Sequence, residues 1–155
     1  MIYTKLTKTA IKLAYDKHIN QTDKSGIPYI LHPVHVAEQM DDEYSTTVAL
    51  LHDVIEDTNT TFKDLEKMGF PFEVIEALKC LTHKKEQDYF DYIKNISKNE
   101  IATKVKIADL IHNSDLSRLD NITTEDLIRV KKYEECLKYL QNIYNIDNTN
   151  LVHKL

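Results

Sequence analysis

Apolar residues recur along this chain at spacings of three and four, and they nowhere alternate with polar ones for long enough to suggest a strand. Leu6, Ala10, Leu13 and Ala14, with Ile2, predict a helix over Thr4 to His18. A polar loop from Asn20 to Pro28 follows, carrying both a Gly and a Pro. Pro33 suits the first turn of a helix, where its missing N–H is not needed, and Val34, Ala37 and Met40 supply that helix's apolar face. The next helix is expected from about Tyr44 to Asp57. Thr60 and Thr61 cap a short helix with Phe62, Leu65 and Met68 inside, closed by Gly69. Pro71 opens another, with Val74, Ile75, Leu78 and Leu81 inside; the polar run Thr82 to Lys85 ends it. Tyr89, Tyr92, Ile93 and Ile96 mark a further helix. The pattern then runs unbroken from Glu100 to Leu119, with Asn99 as cap and Val105, Ala108, Ile111 and His112 on one side. A last helix begins at Thr123 or Thr124, presents Leu127, Val130, Tyr133, Leu137, Leu140 and Ile143 to a core, and packs on as the C-terminal element over 120–145. The Asn-rich residues 146–155 read as a loose tail.

Composition reinforces this pattern. The chain has 155 residues, enough for one domain with a real core, and only 2 Gly and 3 Pro to interrupt helices. The expectation is an all-α fold: a single domain over 1–155, a bundle of roughly seven or eight helices. A net charge of −5 argues against general nucleic-acid binding, which needs basic surface, but leaves room for a small anion held by local Lys and Arg. Cys80 and Cys136 are far apart with no CxxC, so both are expected as reduced, buried thiols. No apolar run approaches a membrane span and Met1 to Lys5 does not open a signal peptide, so the expected location is cytoplasmic, with no membrane partner. The sequence carries no signal of an oligomeric state.

The chemistry gathers around Leu50-Leu51-His52-Asp53-Val54-Ile55-Glu56-Asp57-Thr58. On a continuous helix His52 would stack with Glu56 and Asp53 with Asp57. Four ionisable groups on a half-buried face need compensation, because unpaired buried charge is costly. A divalent cation would provide it; a solvated acidic face is the plainer alternative. His32 before Pro33, and Asp109 within an apolar helix face, add two further donors. Alone, His32 reads as a loop residue or cap, and Asp109 as the partner of a nearby Lys or Arg. His35, His83, His112 and His153 read as ordinary surface or packing histidines. Imidazoles with carboxylates suit Mn, Fe, Co or Zn better than Ca or Mg.

Three blocks, in order, resemble the HD-domain metal-dependent phosphohydrolases, and more narrowly the hydrolase domain of the RelA/SpoT alarmone enzymes and their small stand-alone relatives. They are the run from Gln21 to Ala37 with its His32-Pro33, the run from Ala49 to Thr58 with its HDxxED, and Val105 to Asn113 with its KxADxxHN. The resemblance covers about residues 10–119. It implies an all-helical fold, His32, His52, Asp53 and Asp109 as metal ligands, manganese as the usual ion, and Glu56 and Asp57 as a water-activating pair. It places Lys24 and Ser25 in a loop over a guanosine, Asn113 near the nucleotide, and the reaction at the 3′-pyrophosphate of guanosine tetra- or pentaphosphate. The implied partner is thus a small phosphorylated substrate.

One departure stands out. The resemblance places an Arg before Lys24-Ser25-Gly26, lying against the guanine; here the residue is Asp23. An anion there repels phosphate. The sequence therefore predicts weak handling of guanosine tetraphosphate and a gain from Asp23→Arg. The run Ser114 to Leu119 also differs from the alarmone pattern. Two other readings fit the residues: an HD phosphohydrolase for another small ester such as a nucleoside monophosphate, which Asp23 favours, and a non-catalytic HD nucleotide-binding module.

Overall fold

A computed structural model describes residues 1–144. Among the described residues there are nine α-helical segments, one 3-10 turn and no strand beyond an isolated bridge between Thr22 and Pro28. The expectations for residues 145–155, including the loose tail and His153, lie outside the described residues.

Side-chain caps start most of the helices. Thr4 accepts the amide of Thr7 and opens α1, Lys5–His18. α2, Leu31–Glu38, carries His32 and Pro33 in its first turn. Asp42 caps α3, Glu43–Leu51, by accepting the amide of Ser45. α4, Val54–Asp57, is a single turn. Thr61 and Asp64 form a reciprocal capping box on α5, Phe62–Lys67. α6, Phe72–Leu81, follows Pro71; Asp88 caps α7, Tyr89–Ile96; Asn99 caps α8, Glu100–Asn113. The 3-10 turn Leu116–Arg118 leads to α9, Thr124–Tyr144.

α3 is the centre of the packing. Every residue from Ser45 to Leu51 is buried, and α1, α2, α6 and α8 surround the helix. A helix that is buried all round needs small or apolar residues on all sides, and the run Ser-Thr-Thr-Val-Ala-Leu-Leu supplies them. Thr46 and Thr47 satisfy their hydroxyls on the carbonyls of Asp42 and Glu43, so burying them leaves no orphan donor. Leu50 and Leu51 are fully buried; truncating either to Ala removes about 2–5 kcal/mol of stability.

Five details differ from the sequence expectation. The helix expected over Tyr44 to Asp57 breaks at His52-Asp53, where Asp53 adopts φ −101°, ψ −5°. Consecutive side chains on a regular helix point about 100° apart; the break lets His52 Nε2 and Asp53 Oδ2 come within 3.0 Å of each other. The helix from Glu100 stops at Asn113, before Leu119. Met68 becomes the C-cap of α5 and is exposed. Leu127 and Ile143 are exposed as well: the buried stripe of α9 is rotated to Asp126, Val130, Cys136, Leu140 and Gln141. Cys136 is a buried free thiol, whereas Cys80 is only half-buried. No helix of the described residues is long and apolar enough to cross a membrane.

Candidate metal centre and substrate cleft

His32 from α2, His52 from the α3–α4 break and Asp109 from α8 form one buried group whose ligand atoms lie within 4.8 Å of one another, and Asp53, also from the break, stands at its edge beside both imidazoles. His32 Nε2 lies 3.2 Å from His52 Nε2, 3.1 Å from Asp109 Oδ1 and 3.6 Å from Asp53 Oδ2. His52 Nε2 lies 3.0 Å from Asp53 Oδ2 and 3.6 Å from Asp109 Oδ1. Metal–ligand bonds of about 2.1 Å put adjacent ligands about 3.0 Å apart on an octahedral ion and about 3.4 Å apart on a tetrahedral one. Three of the five separations lie in that range, and the two of 3.6 Å lie just beyond it. His32, His52 and Asp109 are all buried. Two imidazole nitrogens facing each other and two carboxylate oxygens make a donor set that fits a divalent transition ion.

The surrounding groups fix which atom of each side chain faces inward. His52 Nδ1 sits 2.6 Å from the Ala49 carbonyl, which requires an N–H there and leaves Nε2 as the inward lone pair. Lys106 Nζ holds Asp109 Oδ2 at 2.7 Å, and Asn113 Nδ2 donates to Oδ1 at 2.6 Å. Tyr29 donates to Asp53 Oδ2 at 2.6 Å. His32 Nδ1 meets His112 Nδ1 at 2.7 Å, and His112 stacks on His35 with ring centroids 4.0 Å apart. His112 is therefore not the ordinary packing histidine that the sequence suggested, and His35 packs against it. His83 packs its ring against Tyr89 and Tyr92, as expected, while its backbone amide donates to Glu56 Oε1. Tyr29 and His112 were missed as site residues because their contacts cross between elements; the Lys106–Asp109 contact lies within α8, at a spacing of three that was open to inspection.

Charge follows the same geometry. Burial opposes protonation of His52, but Asp53 and Asp109 outweigh it and hold its pKa well above the usual histidine value. Burial likewise pushes Asp109 up, and is outweighed by Lys106 and the two imidazoles, so its carboxyl stays well below the ordinary range. His112 is driven down to about 3 by burial, then by His32 and Arg118. Desolvation raises both Glu56 and Asp57; the His83 amide opposes it at Glu56, and the charge of Asp53 raises both further.

A cleft opens beside His32, and Lys24 and Asn113 line it with Arg129 and Tyr133. Lys24 Nζ and Arg129 Nη1 both hold the buried carboxylate of Asp126, at 2.7 and 3.1 Å. Ser25 turns its hydroxyl to the carbonyl of Arg118 at 2.9 Å, tying the loop to the 3-10 turn. Asp23 is not the isolated anion that the sequence suggested. Its Oδ1 accepts the amides of Ser25 and Ile27 at 2.9 and 3.0 Å, closing a tight loop around Gly26 at φ +78°. Its Oδ2 faces Arg118 Nη2 at 3.6 Å.

A zebrafish protein, the guanosine-3′,5′-bis(diphosphate) 3′-pyrophosphohydrolase MESH1, is 34% identical over 142 residues, covering 81% of this chain and 76% of that protein. The chain belongs to the SpoT/MESH1 family of HD hydrolase domains. The guanosine-3′,5′-bis(diphosphate) 3′-pyrophosphohydrolase of Aquifex aeolicus is 30% identical over 94% of this chain, and the bifunctional (p)ppGpp synthase/hydrolase SpoT of Escherichia coli 37% over 70% of it. The chain spans about a fifth of the length of those two family members, 21% and 18%. The solved structure of a metazoan SpoT ortholog that hydrolyzes ppGpp superposes with a TM-score of 0.75 at 28% identity, over 100% of this chain and 94% of that one. No family model matches the chain.

Proposed function

We propose that this protein is a metal-dependent pyrophosphohydrolase that removes the 3′-pyrophosphate of guanosine 3′,5′-bis(diphosphate). The observation that carries the reading is the buried group of His32, His52 and Asp109, with Asp53 Oδ2 3.0 Å from His52 Nε2, in a chain 34% identical to MESH1 over 142 residues. His32, His52, Asp53 and Asp109 would hold the ion; manganese is the first choice, with iron, cobalt or zinc compatible with the donors. A bound divalent ion supplies Lewis acidity toward the phosphoryl group and acidifies water.

The chain's own residues do the rest. Glu56, with a raised pKa, accepts the proton of the attacking water as the P–O bond breaks, and Asp57 orients that water. Lys24 binds the anionic substrate while Asp126 fixes its ammonium. Asn113, engaged by Asp109 and Arg118, stands at the junction of metal centre and nucleotide. Lys106 keeps the outer oxygen of Asp109 occupied, so that a single oxygen points at the ion. The reading goes with a cytoplasmic location.

Incubating the manganese-loaded protein with guanosine tetraphosphate tests the reading. Pyrophosphate and GDP in equal amounts are expected, and none after chelation. Hydrolysis confined to other nucleotides would replace this substrate and keep the metal centre.

A further inference from the structure

We propose that Arg118 is the residue that reads the purine base, and that Asp23 positions it. This rests on the substrate being a guanosine nucleotide. The guanidinium is held by in-plane contacts: Nη1 donates to the His112 carbonyl at 3.0 Å and to Asn113 Oδ1 at 3.4 Å, and Nη2 faces Asp23 at 3.6 Å. Such contacts leave the flat faces of the guanidinium unused, and about a quarter of the side chain, 26%, is exposed. Arg118 stands on the wall shared by two adjoining cavities. One is the cleft of Lys24 and Arg129. The other is lined by Ile27, Pro28, Leu31, His35 and His112, a set of apolar and flat groups.

The charges divide the two cavities between the two halves of a nucleotide. On the Lys24–Arg129 side, an ammonium and a guanidinium meet at one buried carboxylate, Asp126, and bring cationic donors to a cleft that Asp115 also lines, which suits a phosphate better than the other cavity does. On the Arg118 side, Asp23 cancels the guanidinium, so the field there favours no anion. What remains is a planar, delocalised surface with spare donors beside an apolar wall, which suits a neutral aromatic base. Asp23 does two jobs with two oxygens: one closes the loop whose Ile27 and Pro28 line the base cavity, the other holds Arg118. The cation that the sequence lacks at position 23 is thereby supplied from the 3-10 turn.

Equilibrium binding of GDP and of inorganic pyrophosphate to the metal-loaded protein separates the base from the phosphates. Arg118→Gln is expected to weaken GDP about three- to thirty-fold, the range of a stacked or desolvated cation–π contact, and to leave pyrophosphate within about two-fold. Arg118→Lys, which keeps the charge but not the plane, is expected to weaken GDP similarly. Asp23→Asn, which keeps an acceptor for the loop amides, is expected to weaken GDP less, and to add nothing in an Arg118→Gln background. In turnover of guanosine tetraphosphate the Arg118 variants are expected to raise KM with kcat nearly kept, which a loss of general stability would not produce. Equal weakening of GDP and pyrophosphate, full rescue by Arg118→Lys, or unchanged GDP binding in Arg118→Gln would each overturn the proposal while wild-type turnover of guanosine tetraphosphate leaves the substrate reading standing. Wild-type protein that neither binds GDP nor hydrolyses guanosine tetraphosphate would overturn both.

Discussion

His112 meets His32 edge to edge, Nδ1 to Nδ1 at 2.7 Å, on the side of the His32 ring opposite the Nε2 that faces Asp109. If His32 gives Nε2 to a metal, its Nδ1 carries the proton, and His112 must be the acceptor. The depressed pKa of His112, about 3, keeps that acceptor unprotonated. His112→Phe preserves a flat ring against His35 but removes the acceptor. Manganese affinity is expected to fall about 10- to 100-fold, read by competition with a metal indicator, and kcat at saturating manganese is expected to recover most of the loss.

Metal binding and proton transfer separate by mutation. His52→Ala or Asp53→Ala is expected to lose both metal and hydrolysis. Glu56→Gln is expected to keep the metal and lose about 10²- to 10⁴-fold in rate, the usual range for a general base. Metal content measured alongside single-turnover rates decides: a Glu56→Gln protein as fast as wild type would exclude the proton-transfer role, and one without metal would make Glu56 a ligand or its support.

The raised pKa of Glu56 sets a direction for the pH profile. A base works only when ionised. With a pKa above the ordinary 4.5, Glu56 is still partly protonated where a free glutamate would be charged. In the metal-free protein the Glu56 carboxyl is therefore expected to take up its proton, with decreasing pH, earlier than an unperturbed glutamate would, read by comparing the carboxyl titration of wild type with that of Glu56→Gln. The same sign makes ionised Glu56 a cost to folding above its pKa, so Glu56→Gln in the metal-free protein is expected to be no less stable than wild type at pH 7.

Lys106 is nearly buried, with its ammonium 2.7 Å from Asp109 and near the rings of Tyr89 and Tyr92. Lys106→Met leaves Asp109 without its cation. Removing one partner of a buried pair costs about 3–5 kcal/mol. The metal-free variant is expected to melt well below wild type, and added manganese is expected to raise its Tm by more than it raises that of wild type, because the ion restores a countercharge to Asp109.

Asp23→Arg tests the loop directly. On sequence alone the change should help, because it replaces an anion near phosphate by a cation. The structure reverses the sign: the substitution removes the acceptor of two loop amides and sets a second guanidinium against Arg118. kcat/KM on guanosine tetraphosphate is expected to fall several-fold. A rise would show that the loop contacts of Asp23 do not matter to substrate binding.

What could be read from the sequence was whatever is written locally. Thr4, Thr61 and Asn99 announce helix starts because a cap needs only its own side chain and an amide two or three residues on. The proposed metal donors stand in recognisable blocks. The break at His52-Asp53 has no Gly or Pro to announce it; it follows from the need to aim two adjacent side chains at one point. Leu127 looked like core because it keeps the helical period, yet the face that meets the bundle is the one with Asp126, which is buried only because Lys24, Arg129 and Thr123 satisfy it. Arg118 and Asp23 looked like unrelated departures, since nothing in a one-dimensional pattern brings positions so far apart in the chain to 3.6 Å.

The single turn of α4 carries Glu56 and Asp57 between a broken helix on one side and the extended Thr58 on the other. One turn is too short to persist by its own backbone bonds. Buried Val54, the Thr58 hydroxyl on its carbonyl and the Gln21 amide on that of Asp57 hold it from the flanks, while Asp53 anchors its start at the metal point. The turn that bears Glu56 and Asp57 is thus formed without an ion, held by contacts from its flanks. Its order is lent by neighbouring segments and not by its own length, so loosening Gln21 or Thr58 would displace both carboxylates together.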